Sequence, residues 1–325
     1  MLNASGWRRR HIFAIAAILF LTTARADTIF VTNERAGTIT VIDSKTDKVT
    51  NTFDAGTRPR GIVIAPDGKH GFVAISHFKD QPRRTPDGVI AFDTKTHKIV
   101  KTYKAGTDPE GIALIGSRFA VSNEDAGTAS IVDIATGKTS AALVTGTEPE
   151  GIAASPDGKW IYVTGETSNT ITIIDAGARK VVANVFVDAR PRGVTFARKS
   201  SRAFVTCEVA GTVNVLDTAK RTVIQRIRLE KAEHPVGVVL SPDESQLYVA
   251  TGRGNTVVAI DTARNAVVKR IATGNRTWGL GMTRDGGKLY AANGLSNDVT
   301  AIDVASWRVV ATIKAGDGPW GVAVR

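Results

Sequence analysis

The chain has 325 residues, a formal net charge of +11 at pH 7, 31 glycines and one cysteine. A single cysteine excludes an internal disulfide, so stability must come from a buried apolar core, for which this length suffices. The sequence contains neither a lysine- and arginine-rich block nor basic residues interleaved with aromatic ones. The basic charge alone therefore does not indicate nucleic-acid binding.

The first predicted element is an export signal. A basic segment, Trp7–Arg10, precedes the apolar run Ile12–Leu21, which is too short for a stable membrane anchor. Ala24–Ala26 has the A-x-A pattern of a cleavage site, so we expect a signal peptide over 1–26, Sec-dependent export to the periplasm and a mature chain that begins near Asp27. An uncleaved N-terminal anchor is the alternative. Cleavage would remove four arginines and no acidic residue, and would lower the net charge to +7.

A short, β-branched apolar run that ends in aspartate occurs seven times in the remaining sequence. The aspartates are Asp43, Asp93, Asp133, Asp175, Asp217, Asp261 and Asp303, at spacings of 50, 40, 42, 42, 44 and 42 residues. A period of this length is typical of the four-stranded blades of a β-propeller. A hydrogen bond from each aspartate to the following turn explains its recurrence, so we predict no catalytic or metal-binding role for it.

The unit over 150–193 shows the predicted strand order. Its four strands are expected at Gly151–Ser155, Trp160–Thr164, Thr170–Asp175 and Lys180–Val187. A Pro-Asp-Gly-Lys turn follows the first strand. The small residues of that strand suit the crowded centre of a propeller, so we place it innermost.

The two ends of the chain predict how the ring closes. The first strand of the mature chain, Thr28–Thr32, corresponds to the second strand of a unit, and the last segment, Trp320–Val324, corresponds to a first strand. Pairing these two strands closes the ring without a free edge. We therefore predict an all-β fold: one seven-bladed β-propeller over 27–325, with four-stranded antiparallel blades and the N- and C-terminal strands in one blade. The second blade carries about eight extra residues within His77–Asp87, which we expect to form a stiff, cationic flap.

Several segments identify a family resemblance. Phe30-Val31-Thr32-Asn33, Tyr162-Val163-Thr164-Gly165 and Tyr248-Val249-Ala250-Thr251 resemble the signature of the YVTN-family β-propeller repeats over the whole mature chain. Trp278-Gly279-Leu280, Asn293 to Asp298 and Gly318 to Val324 resemble a narrower subgroup, the propellers associated with pyrroloquinoline-quinone-dependent alcohol catabolism. The resemblance implies a periplasmic accessory propeller. It supplies no catalytic motif and does not imply that this chain binds the quinone.

Two sets of loops are predicted on one face, around the mouth of the central channel. One set joins the outer strand of a blade to the inner strand of the next through a Pro-x-Gly pattern, and the other joins the second and third strands. Repeat symmetry places the x residues in one ring: Arg60, Glu110, Glu150, Arg192, Val236, Trp278 and Trp320. The residues before proline are Arg58, Asp108, Glu148, Arg190, His234 and Gly318, while Thr277 replaces proline in the sixth loop. The second set adds Glu34, Glu124, Glu166, Glu208 and Arg253, flanked by Asn33, Asn123 and Asn293.

This face is the predicted binding site for a ligand or partner. Its candidate residues are Arg60, Glu110, Glu150, Arg192, Trp278, Trp320, Glu124, Glu166, Arg253, His77 and His234. A cleft with an aromatic wall, carboxylates and guanidinium groups could hold a polar ligand or a partner's loop. Two alternatives remain open at this stage: the charged ring residues form only salt bridges between blades, or the two tryptophans only plug the channel.

The sequence gives little support for metal or redox chemistry. Only His77 and His234 are expected on the candidate face, and the sequence has neither a haem-attachment motif nor zinc-ligand spacing. Carboxylates at Glu110, Glu124, Glu150 and Glu166 could hold Ca²⁺, but the flanking arginines oppose it. Cys207 is expected to be an inert small side chain. We therefore predict no catalytic residue, no metal and no cofactor.

The sequence favours an exported, non-enzymatic binding module that serves a periplasmic quinoprotein oxidation system. Its expected partner is a quinoprotein dehydrogenase, a cytochrome or a transporter component, or else a small polar ligand, with no membrane attachment after signal cleavage. One alternative is a lactonase- or lyase-like propeller enzyme, which would need a convergent acid/base set with a metal. Another is a polyanion or nucleic-acid binder, for which the net charge and the tryptophan pair argue. Binding of a polyanion would weaken steeply as the salt concentration rises, which distinguishes this alternative from the others.

Overall fold

The computed structural model describes residues 26–80 and 85–325. The signal peptide predicted over 1–26 therefore lies, apart from Ala26, outside the described residues. Within the described ranges there is no helix of the length and apolarity that a membrane crossing needs. The strands form seven four-stranded antiparallel sheets, which are the blades of a propeller.

Each blade runs from an inner strand at the channel to an outer strand at the rim. Blade 1 contains β1 (Thr28–Asn33), β2 (Thr38–Asp43) and β3 (Lys48–Asp54), and blade 2 contains β4 (Pro59–Ile64), β5 (His70–Ile75), β6 (Gly88–Asp93) and β7 (Ile99–Lys104). Blade 3 contains β8 (Pro109–Ile115), β9 (Arg118–Asn123), β10 (Thr128–Asp133) and β11 (Thr139–Val144). Blade 4 contains β12 (Pro149–Ala154), β13 (Trp160–Gly165), β14 (Thr170–Asp175) and β15 (Lys180–Phe186).

The remaining strands complete the ring. Blade 5 contains β16 (Pro191–Phe196), β17 (Arg202–Cys207), β18 (Thr212–Asp217) and β19 (Thr222–Arg228), and blade 6 contains β20 (Val238–Leu240), β21 (Gln246–Ala250), β22 (Thr256–Asp261) and β23 (Ala266–Ala272). Blade 7 contains β24 (Thr277–Met282), β25 (Lys288–Asn293), β26 (Asp298–Asp303) and β27 (Arg308–Lys314), and β28 (Pro319–Val324) is the inner strand of blade 1.

The predicted fold is confirmed, including its closure. β28 pairs antiparallel with β1, with Ile29 opposite Val324 and Phe30 opposite Ala323. The pairing of the two chain ends removes the free edge that an open ring would expose. In blade 4, the strand bounds agree with the predicted ones to within two residues.

The apolar core lies between neighbouring blades. The second and third strands of each blade are largely buried, whereas the outer strands are exposed on most positions. Aromatic side chains meet across the blade boundaries, with ring centroids 5.3 Å apart for Phe30 and Phe92 and 4.6 Å apart for Tyr162 and Phe196. Burial of these sheet faces supplies the main stabilisation, because the single cysteine cannot form an internal disulfide.

The recurring aspartates are turn residues. Oδ1 of Asp43 accepts hydrogen bonds from the backbone N–H groups of Lys45, at 3.0 Å, and Thr46, at 2.8 Å. Equivalent bonds follow each of the other six aspartates. The predicted structural role is therefore confirmed.

The glycine of each Pro-x-Gly loop fixes the distance between inner strands. A Cβ at any of these glycines would collide with the carbonyl oxygen of the x residue in the next blade. The contacts run once around the ring: Gly61 to Glu110, Gly111 to Glu150, Gly151 to Arg192, Gly193 to Val236, Gly237 to Trp278, Gly279 to Trp320 and Gly321 to Arg60. Only glycine permits this close approach of one backbone to another.

A buried hydroxyl group joins neighbouring blades at four of these contacts. Thr206 Oγ1 accepts a bond from Gly193 N–H at 2.8 Å and donates to Val236 O, in the next blade, at 2.6 Å. Thr32, Ser122 and Thr164 bridge their neighbours in the same way. The threonine of the repeat signature is thus explained by its bonds to two backbones.

Candidate functional site

The Pro-x-Gly loops direct their x side chains at the mouth of the channel. In six blades the register between inner and second strand shifts at this loop, for example between Pro191 and Val194 in blade 5. Such a bulge places an extra residue in one strand and re-aims its side chain. The residue before the loop has a positive φ in the same six blades: Arg58, Asp108, Glu148, Arg190, Arg276 and Gly318.

A first group of charged side chains lies over blades 1 to 3, and we call it the Arg60 cluster. It consists of Arg58 and Arg60 with Glu34, Asp108, Glu110 and Glu124. Arg60 contacts Glu34, with Nε 2.8 Å from Oε1, and forms an ion pair with Glu110. Arg58 also contacts Glu34, at 3.0 Å, and lies 2.6 Å from Asp108. Glu124 is the most loosely held member, with Oε2 4.0 Å from Arg60 Nη1.

A second group, the Arg192 cluster, lies over blades 4 to 7. It consists of Arg190, Arg192 and Arg276 with Glu150, Glu166 and Glu208. Arg192 forms ion pairs with Glu150 and Glu166, and its Nε lies 2.9 Å from Glu208 Oε2. Arg276 approaches the same Glu208 to 3.2 Å, and Arg190 approaches it to 3.3 Å. Arg192 therefore holds together three carboxylates that would otherwise repel one another.

Burial and neighbouring charge shift several pKa values in these clusters. Burial alone would raise the pKa of Glu34, but the guanidinium groups of Arg60 and Arg58 outweigh it and lower that pKa below its usual value. Burial raises the pKa of Glu124, where Arg60 opposes the effect only partly. Burial lowers the pKa of Arg192 to about 10, so its guanidinium group is still charged at neutral pH.

The two tryptophans of the ring lie between the clusters. Trp278 and Trp320 stack with ring centroids 6.5 Å apart and an interplanar angle of 29°. The guanidinium carbon of Arg60 is 5.3 Å from the Trp320 ring, and those of Arg192 and Arg276 are 5.3 Å and 4.2 Å from the Trp278 ring. Cation–π contacts of this kind orient both partners.

The mouth opens into a cavity of about 250 Å³ along the channel. The inner strands line its walls, and Trp278, Trp320, Glu150 and Arg192 lie at its rim. Both tryptophans are partly exposed, but the indole N–H of Trp320 is buried and has no hydrogen-bond partner among the described residues. A buried donor without a partner is rare in folded proteins.

The mouth face also bears the most exposed large apolar side chains of the described residues. Val144 and Phe186 end the outer strands of blades 3 and 4 on this side and are 77% and 78% exposed. Val209 and Leu295 lie in the loops between second and third strands and are 63% and 65% exposed. All four lie on the same face as the charged clusters, so apolar surface and polar groups share one face.

The structure brings most of the predicted site residues together. Arg60, Glu110 and Glu124 meet in the Arg60 cluster, Glu150, Arg192 and Glu166 in the Arg192 cluster, and Trp278 with Trp320 between them. The others are peripheral: His77 Nδ1 pairs with Asp87 at 2.8 Å, His234 Nδ1 lies 3.2 Å from Glu208 O, and Arg253 is exposed without an ion pair among the described residues. The four charged ring residues form salt bridges between blades, Arg60 with Glu110 and Arg192 with Glu150.

Two details go beyond the expectation. The asparagines Asn33, Asn123 and Asn293, which flank the loops of the second set, are fully buried and donate to hydroxyl or carboxylate oxygens of the adjacent strand, so their side chains brace the blades. Arg276 belongs to the Arg192 cluster but was not among the expected residues. Arg276 could have been found from its position in the repeat. It precedes Thr277, which stands where other loops have proline, and it has the same positive φ as the residues before most of those prolines.

Three carboxylates of the Arg60 cluster have the spacing of a cation site. The ligand atoms of Asp108, Glu110 and Glu124 lie within 4.8 Å of one another. Arg58 and Arg60 already contact Asp108 and Glu110 and supply the positive charge that a metal would bring. The geometry thus explains this group as part of an ion-pair network.

Comparison with known proteins supports the fold. A family model described as a YNCE-like β-propeller matches residues 84–202, which is less than half of the chain. A search among curated proteins found no match. Together with the seven sheets, the family match identifies a β-propeller repeat protein.

Solved structures are similar over most of the chain. Hydrazine synthase from Kuenenia stuttgartiensis is 23% identical, with 82% of this chain and 89% of that chain covered and a TM-score of 0.71. Two candidate 6-phosphogluconolactonases, from Bacteroides fragilis and Bacteroides uniformis, are 20% and 19% identical, cover 94% and 92% of this chain and 99% of their own, and have TM-scores of 0.77 and 0.78. At these identities the similarity shows the fold alone.

Proposed function

We propose that the chain is a non-enzymatic binding module that works in the periplasm and holds a protein partner on its mouth face. The observation that supports this most is the stacked, partly exposed pair Trp278 and Trp320, with arginines over both rings. Tryptophan and arginine are the residues most enriched at interface hot spots. The exposed apolar side chains on the same face give it the mixed character of a protein interface.

The charge of the mouth favours a protein loop over a polyanion. Five guanidinium groups face seven carboxylates in the two clusters, and the guanidinium groups are already engaged by these carboxylates. A phosphate-rich ligand would meet excess negative charge. A partner loop without phosphate groups would not meet this repulsion.

The finer part of the proposal is an accessory role in pyrroloquinoline-quinone-dependent alcohol oxidation, and it rests on the resemblance of the last third of the chain. In the segments that carry this resemblance, Gly279 and Gly321 are needed by the fold, because their neighbours' carbonyl groups leave no room for a Cβ. The x position that Trp278 and Trp320 occupy holds arginine, glutamate or valine in the other blades, so the repeat itself does not require tryptophan there. Their presence in the resembling segments is better explained by a shared partner, which we propose is a quinoprotein dehydrogenase, a cytochrome or a transporter component.

The test is affinity capture from periplasmic extract of alcohol-grown cells, with the wild type and a Trp278→Ala/Trp320→Ala variant as bait. We expect the wild type to enrich a protein of one of these three classes, and the purified pair to bind at least thirtyfold more weakly in the variant, since each hot spot is worth about 2 kcal/mol or more. Circular dichroism should show that the variant is folded. Equal binding by both baits, or enrichment of none of the three classes, would contradict the proposal.

The location is tested separately. In cell fractionation we expect the protein in the periplasm, and mass spectrometry of its N terminus should give Asp27. A full-length chain in the membrane fraction would support the uncleaved anchor instead.

A lactonase- or lyase-like enzyme is the second candidate. The close carboxylates Asp108, Glu110 and Glu124 would be its acid/base or cation-binding set. Hydrolysis of sugar lactones that is lost with EDTA and with Glu110→Gln would favour it over the binding module. Without such activity in a panel of lactones, this candidate is removed.

A further inference from the structure

A second opening of the channel lies on the face opposite to the mouth. We call this the lower face; it contains the turns that join first to second strands and third to fourth strands. A cavity of about 760 Å³ lies there, and three arginines line it: Arg198 from blade 5, Arg284 from blade 7 and Arg325 from the end of β28 in blade 1. Asp67 is the acidic residue among its lining side chains.

The repeat shows that two of these arginines are not required by the fold. The turn after the inner strand has proline at its second position in blades 2, 4 and 6: Pro66, Pro156 and Pro242. Proline fixes the backbone for such a turn. Arg198 and Arg284 occupy the same position in blades 5 and 7. In these two blades, arginine therefore replaces the proline of the turn. Arg198 and Arg284 lie in the blades on either side of Pro242, and both line the cavity.

The three guanidinium groups are only lightly engaged. The Arg198 side chain is exposed and has no ion pair among the described residues. Arg284 Nε lies 3.1 Å from Asp27 Oδ1, but the side chain is 67% exposed. Arg325 Nε donates to Gly68 O at 2.8 Å, a neutral acceptor.

The carboxylates of Asp67 and Glu244 are hydrogen-bonded to backbone groups and not to the arginine side chains. Asp67 accepts the backbone N–H of Lys69, and Glu244 accepts the backbone N–H groups of Arg198 and Lys199. The arginines of the mouth are paired with close carboxylates, whereas at the lower opening only Arg284 has a carboxylate partner among the described residues, Asp27. Guanidinium groups bind carboxylate and phosphate groups through paired hydrogen bonds, which makes an anion the matching ligand.

We propose that the lower opening binds a small organic anion with at least two carboxylate or phosphate groups. Three arginines from three blades line the opening, so a ligand with two anionic groups can contact more than one of them. The cavity volume also falls in the range typical of small-molecule sites. The site is on the opposite face from the proposed partner interface, so either can fail without the other.

Isothermal titration calorimetry at fixed ionic strength tests the site with three probes: citrate, pyrophosphate and inorganic phosphate. We expect saturable binding of citrate or pyrophosphate, about tenfold tighter than that of inorganic phosphate because a second charged contact is worth that much. The two larger probes distinguish a carboxylate ligand from a phosphate one. Failure of both to bind saturably would overturn the proposal.

Variants of Arg198 place the binding at the opening. Arg198→Ala removes no side-chain hydrogen bond or ion pair among the described residues, so the fold should be kept, and we expect affinity to fall about tenfold. The matched control is Lys220→Ala, which removes one positive charge from an exposed turn of the same blade and face without lining the cavity. We expect the control to bind within twofold of the wild type. An equal loss of affinity in Arg198→Ala and Lys220→Ala would mean that the anion binds a diffuse basic surface, and it would overturn the proposal. The same conclusion would follow if an oligothymidylate bound more tightly than citrate and pyrophosphate and lost affinity equally in both variants.

Discussion

Arg192 is the side chain whose removal should damage the mouth most. It is 10% exposed and holds Glu150, Glu166 and Glu208, whose side chains are 8%, 5% and 6% exposed. In Arg192→Met the apolar part of the side chain is kept, but three buried carboxylates lose their shared cation. Removing one partner of a buried ion pair costs about 3–5 kcal/mol. The midpoint of thermal unfolding should fall on the order of 10 °C.

Urea unfolding followed by circular dichroism in the far ultraviolet measures this loss. Tryptophan fluorescence is a poor probe here, because Arg192 lies over the Trp278 ring and its removal would change the signal directly. The matched control is Arg253→Met on the same face, which has no ion pair among the described residues and should change stability by less than about 0.5 kcal/mol.

A double variant tests the cause. Adding Glu166→Gln to Arg192→Met removes one of the stranded charges, so at least about 1 kcal/mol of the loss should return through the coupling of neighbouring sites. A loss below about 1 kcal/mol in Arg192→Met, or no recovery in the double variant, would refute the account of the Arg192 cluster as a buried network.

Three further predictions concern single side chains. Thr206→Val keeps the shape but leaves Gly193 N–H and Val236 O unpaired, so urea unfolding should show a loss of about 2–4 kcal/mol, and a loss within error would show that the hydroxyl bridge does not matter. Glu34→Gln should destabilise by about 1–2 kcal/mol at pH 7, and the difference should shrink as the pH falls below the ordinary value of 4.5 and through the lowered folded pKa; a difference independent of pH would count against it. Burial raises the pKa of Cys207 to about 12, so a thiol reagent at pH 8 should modify it only after unfolding, and rapid labelling of the native protein would be the contrary result.

Most of the fold could be predicted because each feature is local and repeated. The aspartates after the third strands mark turns whose bonds span only two or three residues, so their spacing gives the blade count directly. The last strand, Pro319–Val324, could be placed beside β1 because a closed ring leaves it no other partner. The positions of the mouth residues followed from the same symmetry.

The pairing within the mouth could not be predicted from ring positions. Trp278 reaches past the small Val236 of blade 6 to lie near Arg192 of blade 5, a contact that depends on side-chain size and direction. Arg276 was missed because Thr277 breaks the proline pattern, although the backbone keeps the same conformation there. The site at the lower opening was missed because Arg198 and Arg284 look like ordinary turn residues in the sequence. Only the structure shows that they line the same cavity.

The central claim is that the mouth face holds a protein partner, and site-specific photo-crosslinking in the periplasm tests it most directly. A photoreactive residue replaces Leu295, which is 65% exposed on the mouth face, or Lys220, which is exposed on the lower face. The account predicts a crosslink from position 295 to a quinoprotein dehydrogenase, cytochrome or transporter component, and none to that protein from position 220. Equal crosslinks from both positions, or a crosslink to such a protein from position 220 alone, would contradict it.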